Sequence, residues 1–174
     1  MTPEEQRLIM SLVVVPGRGR QGDPRDVLDH FETHDGRALG RDLLREAVDR
    51  RDAVDVEMAL IVCAVFGYTM DHFDSLVRLC SADWHYKHED VVTGLGELRT
   101  SHAVDALYLA TQWVPEYLDY DEGRALARKA IWAIGGTPGT EAGQALARLL
   151  SSSDEILQEA AREQLGRRDG RHLS

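Results

Sequence analysis

The feature that most constrains this chain is a recurrence in its second half. Leu126, Ala130, Ile134 and Gly135 line up with Leu157, Ala161, Leu165 and Gly166 at a spacing of 31. Leu95 and Leu98 match Ile131 and Ile134 at a spacing of 36. Ala103-Val-Asp-Ala-Leu107 matches Ala142-Gly-Gln-Ala-Leu146, 39 residues on. Within each block the apolar residues fall three or four apart, the period of a helix face. A block of that length holds two short helices that cannot bury their apolar faces alone and must stack on neighbours.

The rest of the chain reads as helix too. Thr2-Pro3-Glu4-Glu5 is a capping box with proline at the first helical position. Asp23-Pro24 repeats the signature, and the helix it opens runs on to Asp35-Gly36. Helices follow at 37–50, 53–66 and 71–82, then at 88–98, 101–112, 121–134, 138–150 and 154–165. No stretch alternates long enough to argue for a sheet. The class is therefore all-α, expected as a right-handed α-solenoid of antiparallel helix pairs with about eight to ten helices. Residues 1–87 form a degenerate helical half, 88–166 carry the repeats in one continuous domain with that half, and 167–174 are a polar tail.

The repeats carry a resemblance. Ala127-Arg-Lys-Ala-Ile-Trp-Ala-Ile-Gly135, Thr140-Glu-Ala-Gly-Gln-Ala-Leu-Ala-Arg-Leu-Leu150 and Glu155-Ile-Leu-Gln-Glu-Ala-Ala-Arg-Glu-Gln-Leu-Gly166 resemble the HEAT-like repeat of phycobilisome-lyase-type proteins. The likeness covers residues 88–166. It implies a fold and almost nothing about activity. Gln158 stands where the first helix of such repeats usually has arginine, which marks the last repeat as a terminal cap. The segment Trp84-His-Tyr-Lys-His-Glu-Asp90 followed by these repeats also resembles small bacterial HEAT-repeat proteins of the immunity type.

Charge narrows the partners. The chain carries −10 over 174 residues. Such a chain repels nucleic-acid phosphates and anionic lipid, so neither is an expected partner, whereas a basic protein is. That sign also argues against a DNA glycosylase, a HEAT-like enzyme that needs a basic concave face. The two cysteines, Cys63 and Cys80, lie in apolar runs, as buried free thiols in a reducing compartment do. The acidic N-terminus lacks the basic start of a signal peptide, and the apolar run from Leu8 to Val15 is too short for a bilayer. The expected location is the cytoplasm.

Three constellations suggest chemistry. Gly17-Arg-Gly-Arg-Gln-Gly22 fits the dinucleotide fingerprint G-x-G-x-x-G. Pro16 interrupts it, the helix opens only after the third glycine, and no βαβ series follows, so it reads as a flexible basic loop. His30 and His34 stand four apart, as zinc ligands do on a helix, but the intervening Glu32 is misplaced for H-E-x-x-H; they read as surface histidines. His85, His88 and Glu89 could share a helical face as metal ligands or as an acid–base pair. Glu89 and Asp90 equally suit the positive end of a helix that begins at His88. No metal and no cofactor are expected.

Residues 83–122 hold nine acidic side chains against Lys87 and Arg99, a sum of −7 (2 − 9). Residues 84–132 contain all three tryptophans and four of the five tyrosines. Aromatic anchors set in one sign of charge suit protein recognition; core tryptophans under a solvated acidic face are the plainer alternative. The expected binding residues are Trp84, His85, His88, Glu89, Asp90, Tyr117, Asp119, Tyr120, Asp121 and Glu122. The functional expectation is a non-enzymatic module that masks a basic protein, in its sharpest form an immunity protein neutralising a toxin. A bilin-lyase-like enzyme or a structural scaffold are the alternatives that the resemblance leaves open.

Overall fold

The computed structural model describes residues 1–17, 19 and 21–172, with side chains up to Gly170. It is 71% helical with ten α-helices and no strand among the described residues, against roughly one-third helix in an average domain. The chain divides into two compact units, residues 1–75 with 84–87 and residues 76–83 with 88–174.

The first unit contains α1 (Pro3–Met10), α2 (Pro24–His30), α3 (Gly36–Arg50) and α4 (Ala53–Phe66), followed by a 3-10 turn at Met70–His72 and the start of α5 (Phe73–Cys80). The Thr2–Glu5 capping box forms in full, and Asp23 caps α2 as the sequence predicts. The helix opened by Asp23 is shorter than expected. It ends at His30, and Glu32 turns the chain with a left-handed φ of 51°. His30 and His34 are therefore not on one helix. Between α1 and α2, Val15 and Gly19 pair in an isolated antiparallel bridge, with Gly17 at φ 83° and Gly19 at φ 70°. Arg18 and Arg20 of the glycine-rich stretch lie outside the described residues.

Helix α4 is apolar nearly all round because it is the centre of this unit. Met58 and Val62 join Ile9, Leu12 and Val27 in a buried cluster, with Phe31, Leu39 and Leu43 packed at its edge. The two carboxylates of α4 are Asp55 and Glu57, and Asp55 is only 1% exposed. It accepts from the α-amino group of Met1 at 2.6 Å and from Gln6 Nε2 at 3.2 Å, and it pairs with Arg50. A buried carboxylate needs such partners to offset lost hydration.

The second unit holds the rest of α5, then α6 (His88–Leu98), a 3-10 turn at Ser101–Ala103, α7 (Val104–Gln112), α8 (Ala125–Gly136), α9 (Thr140–Leu149) and α10 (Glu155–His172). Helix α8 is its hub. It packs against α6, α7 and α10, while α9 packs against α10, α8 and α7. Of the recurring positions, Leu95, Leu107, Leu126, Ala130, Ile134, Leu146, Leu157 and Ala161 are interior, whereas Leu98 and Leu165 are half-buried and Gly166 is exposed. Both cysteines are buried and free. Burial pushes the thiol of Cys63 up to about 12 and that of Cys80 to about 11.

Two helix ends depart from the expectation. Helix α8 starts at Ala125, not at Asp121, because the Asp121 carboxylate takes the N–H groups of Gly123 and Ala125 at 3.0 and 2.6 Å and holds a turn there. Helix α10 runs through the expected polar tail to His172. An Arg167–Glu163 pair at 2.7 Å braces it, and Arg168 reaches the carbonyls of Gly135, Thr137 and Gly139. The first two carbonyls close α8, whose negative end favours a guanidinium, and Gly139 is the residue that precedes α9.

Candidate functional site

The expected binding residues fall in both units. In the first unit Trp84 is half-buried and meets the ring of His85 edge-on, centroids 5.4 Å apart. His85 is only 1% exposed, and its Nδ1 accepts the Lys87 N–H at 3.1 Å. Lys87 reaches Glu57 at 2.6 Å. Tyr86, between them, is 65% exposed. The alternation is local: a tight turn points one ring inward and its neighbour to solvent.

In the second unit His88 is also 1% exposed. Its Nε2 lies 2.8 Å from the carbonyl of Ala82, its Nδ1 lies 3.0 Å from the Tyr117 hydroxyl, and its backbone N–H donates to the same hydroxyl at 3.2 Å. A carbonyl can only accept, so Nε2 carries the proton; in the neutral ring Nδ1 then accepts from the Tyr117 O–H. Tyr117 stacks on the imidazole at 5.6 Å, and Trp113 meets it edge-on at 4.9 Å. Burial holds the Tyr117 phenol above its ordinary range, reinforced by the nearby carboxylates of Glu89 and Asp90. Tyr117 therefore stays protonated near neutral pH. Buried and hydrogen-bonded at both ring nitrogens, His88 fixes the segment in place.

Helix α6 begins at His88, with Glu89 and Asp90 in its first turn. Glu89 pairs with Lys129 of α8 at 2.6 Å. Asp90 is exposed. The loop between α7 and α8 carries a 3-10 turn at Glu116–Leu118. Leu118 is buried beneath it, while Glu116, Asp119, Tyr120 and Glu122 are exposed, Tyr120 by 81%. Asp121 faces inward as the turn-holding carboxylate described above.

The ten expected residues thus separate by role. His85 and His88 are interior, Tyr117, Glu89 and Asp121 are engaged in the framework, and Trp84 is half-buried. Asp90, Asp119, Tyr120 and Glu122 are presented to solvent, the last three on a single loop. Among the described residues no three His, Cys, Asp or Glu side chains converge as metal ligands.

Sequence reasoning missed the residue that anchors the far side of this loop. Arg124, at a left-handed φ of 52°, donates to Asp154 at 2.7 Å and to the Thr111 carbonyl at 3.1 Å. Asp154 in turn accepts the N–H groups of Ile156 and Leu157 at the start of α10. Arg124 so ties the end of α7, the loop and the start of α10 together. No local signal marks an interaction that spans 30 residues. Gln164 was missed as well. It is buried against Gly135, and its Nε2 makes no hydrogen bond.

Neither family models nor curated proteins nor solved structures include a match to this chain. No helix is long and apolar enough to cross a membrane among the described residues.

Proposed function

We propose that this protein is a non-enzymatic binding module that uses the loop 116–122 to recognise and mask a basic protein. The observation that carries the reading is Tyr120, 81% exposed on a loop that is pinned on both sides. One pin is the Tyr117–His88 pair; the other is Asp121 with Arg124. A large exposed aromatic is costly to leave in water and binds well when its loop is already ordered, because little conformational entropy remains to be lost. Exposed Glu116, Asp119 and Glu122 surround it, an acidic rim that steers a basic partner. His88 and Tyr117 serve to hold the loop in place, which supports a role for its exposed residues in binding.

In its finer form the reading places the loop on a right-handed HEAT-like solenoid acting in the cytoplasm, with toxin neutralisation as the biological use. The serial contacts α6–α8–α10, with α7 and α9 alongside, are what stacked helix pairs make. The test is capture of partners by the tagged protein from its native host, followed by binding kinetics. Asp119→Lys with Glu122→Lys should slow association at least about tenfold with the melting temperature unchanged, since rim charges set on-rate. Tyr120→Ala should act on dissociation instead, by about 2 kcal/mol or more. Wild-type kinetics in both variants would sink the reading.

A further inference from the structure

A recess of about 390 Å³ opens on the second unit between α8 and α10. Trp132 and Gly136 line it from α8, Gln164 and Arg167 from α10. Trp132 is 46% exposed and Gln164 only 2%, so the indole stands at the mouth and the glutamine at the inner end. The volume falls within the range of small-molecule sites. Of the four residues only Arg167 is charged. Its guanidinium lies 4.2 Å from the centre of the Trp132 ring and pairs with Glu163 at 2.7 Å, which offsets the charge.

Gln164 is the residue here that folding alone does not explain. Gly135 admits it: a Cβ at that position would fall 2.4 Å from Gln164 Oε1 and 2.9 Å from its Cβ and Cγ. Yet Nε2 is buried without a hydrogen bond, and Oε1 accepts none among the described residues. A leucine would fill a similar space with no amide to desolvate. An amide with both ends unpaired is the complement of another amide, Nε2–H donating to a carbonyl and Oε1 accepting an N–H. The last torsion of a glutamine is soft, so the group turns to offer either end. The indole beside it adds a face on which a flat ring stacks. We propose that the recess binds a small, neutral, planar cyclic amide, its ring against Trp132 and its adjacent C=O and N–H paired with the Gln164 amide. The ligand is neutral because the one charge at the recess is already paired with Glu163. The site shares no residue with the 116–122 loop, and it adds to the partner-binding reading without resting on it.

The probes are α-pyridone, a flat ring with adjacent N–H and C=O, and its N-methyl derivative, which keeps the ring and carbonyl and lacks the N–H. In proton–nitrogen correlation spectra of the full chain, the indole N–H of Trp132 and the side-chain NH2 of Gln164 report on the recess directly. Both signals should shift toward saturation with α-pyridone in the millimolar range. The N-methyl compound should bind at least about fivefold more weakly, because it leaves Oε1 without a donor. Gln164→Leu removes a buried unpaired amide, so it should stay folded, and it should bind the two probes alike. Trp132→Ala, at a half-exposed position, should weaken both probes about tenfold or more by loss of the stacking face. Signals that stay still at tens of millimolar α-pyridone, equal affinity of the wild type for the two probes, or a Gln164→Leu variant that still prefers the N–H form would each overturn the proposal. The first two are read on the wild-type chain and decide the matter whether or not a variant folds.

Discussion

The Tyr117 hydroxyl sits between two donors and acceptors of one residue, 3.0 Å from Nδ1 of His88 and 3.2 Å from its backbone N. The two residues are 29 apart in sequence, so this one contact fastens the loop before α8 to the first turn of α6. Tyr117→Phe keeps the stacked ring and removes the oxygen. Both the His88 N–H and Nδ1 then lose a partner in a nearly dry site, which should cost about 1–3 kcal/mol. Chemical denaturation measures it. The same variant should loosen the loop and weaken partner binding although Tyr117 itself is not at the tip. Undiminished stability would mean that water replaces the hydroxyl and that the loop is not pinned there.

Asp119 and Asp121 look alike in the sequence and have opposite roles in the structure. Asp121 accepts from Gly123 and Ala125 and starts α8; Asp119 is exposed. Asp121→Ala should cost about 1 kcal/mol, the usual loss for a capping carboxylate, and Asp119→Ala should leave the melting temperature in place. Equal effects on stability would show that the two carboxylates are interchangeable and that the turn is held by other contacts.

That contrast marks where sequence reading stops. The helices were legible because their faces repeat at helical spacing and their ends carry local caps: Thr2 with Glu5, Asp23 with Pro24. The inward register of the repeats was legible for the same reason, since Leu126, Ala130 and Ile134 recur as a pattern. The site was legible only as a region. Charge and aromatic content singled out residues 83–122, but which side chains face solvent depends on turns that bring distant residues together. His85 and His88 read as surface groups because the segment around them is polar; a carbonyl, a tyrosine and a neighbouring N–H satisfy them in the interior instead. Arg124 gave no local signal at all, because its partners are Thr111 near the end of α7 and Asp154 just before α10.

Ala130 tests the register of the repeats. It is fully buried on α8, the helix that packs against α6, α7 and α10. The neighbouring contact is already close: a Cβ at Gly96 of α6 would come within 2.8 Å of the Ala133 Cβ on α8. Ala130→Leu adds three carbons to an interior with no room to yield and should cost about 1–3 kcal/mol by overpacking. Ala133→Ser changes little volume and serves as control. A melting temperature unaltered by Ala130→Leu would place the helices further apart than described.

His72 should make the first unit less stable in mild acid. Its ring is 1% exposed beneath the turn that leads into α5. Nδ1 accepts the Thr69 N–H at 3.0 Å, Nε2 makes no hydrogen bond, and the Tyr68 ring meets it edge-on at 5.7 Å. Burial pushes its pKa below the ordinary 6.5; the hydrogen bond to the Thr69 backbone and the charge of Asp71 oppose the shift, and the nearby Arg41 adds to it. Arg41 is itself held by Asp42 at 2.9 Å, so its effect on the imidazole is secondary to desolvation. A histidine with a lowered folded pKa binds its proton more tightly when unfolded. Its contribution is therefore fully present above the unfolded value and is lost as pH falls from about 6.5 toward the folded value. Protonation puts a hydrogen on Nδ1, which can donate to the Thr69 carbonyl at 3.2 Å and so offsets part of the cost of burial. His72→Asn keeps an acceptor near the Nδ1 position and cannot titrate. Denaturation midpoints measured from neutral pH down to about pH 5 should fall more steeply for the wild type than for His72→Asn, the difference isolating this group from the other histidines. Parallel curves would show that His72 protonates as readily in the folded chain as in the unfolded one, and that the turn from Met70 to His72 opens to water.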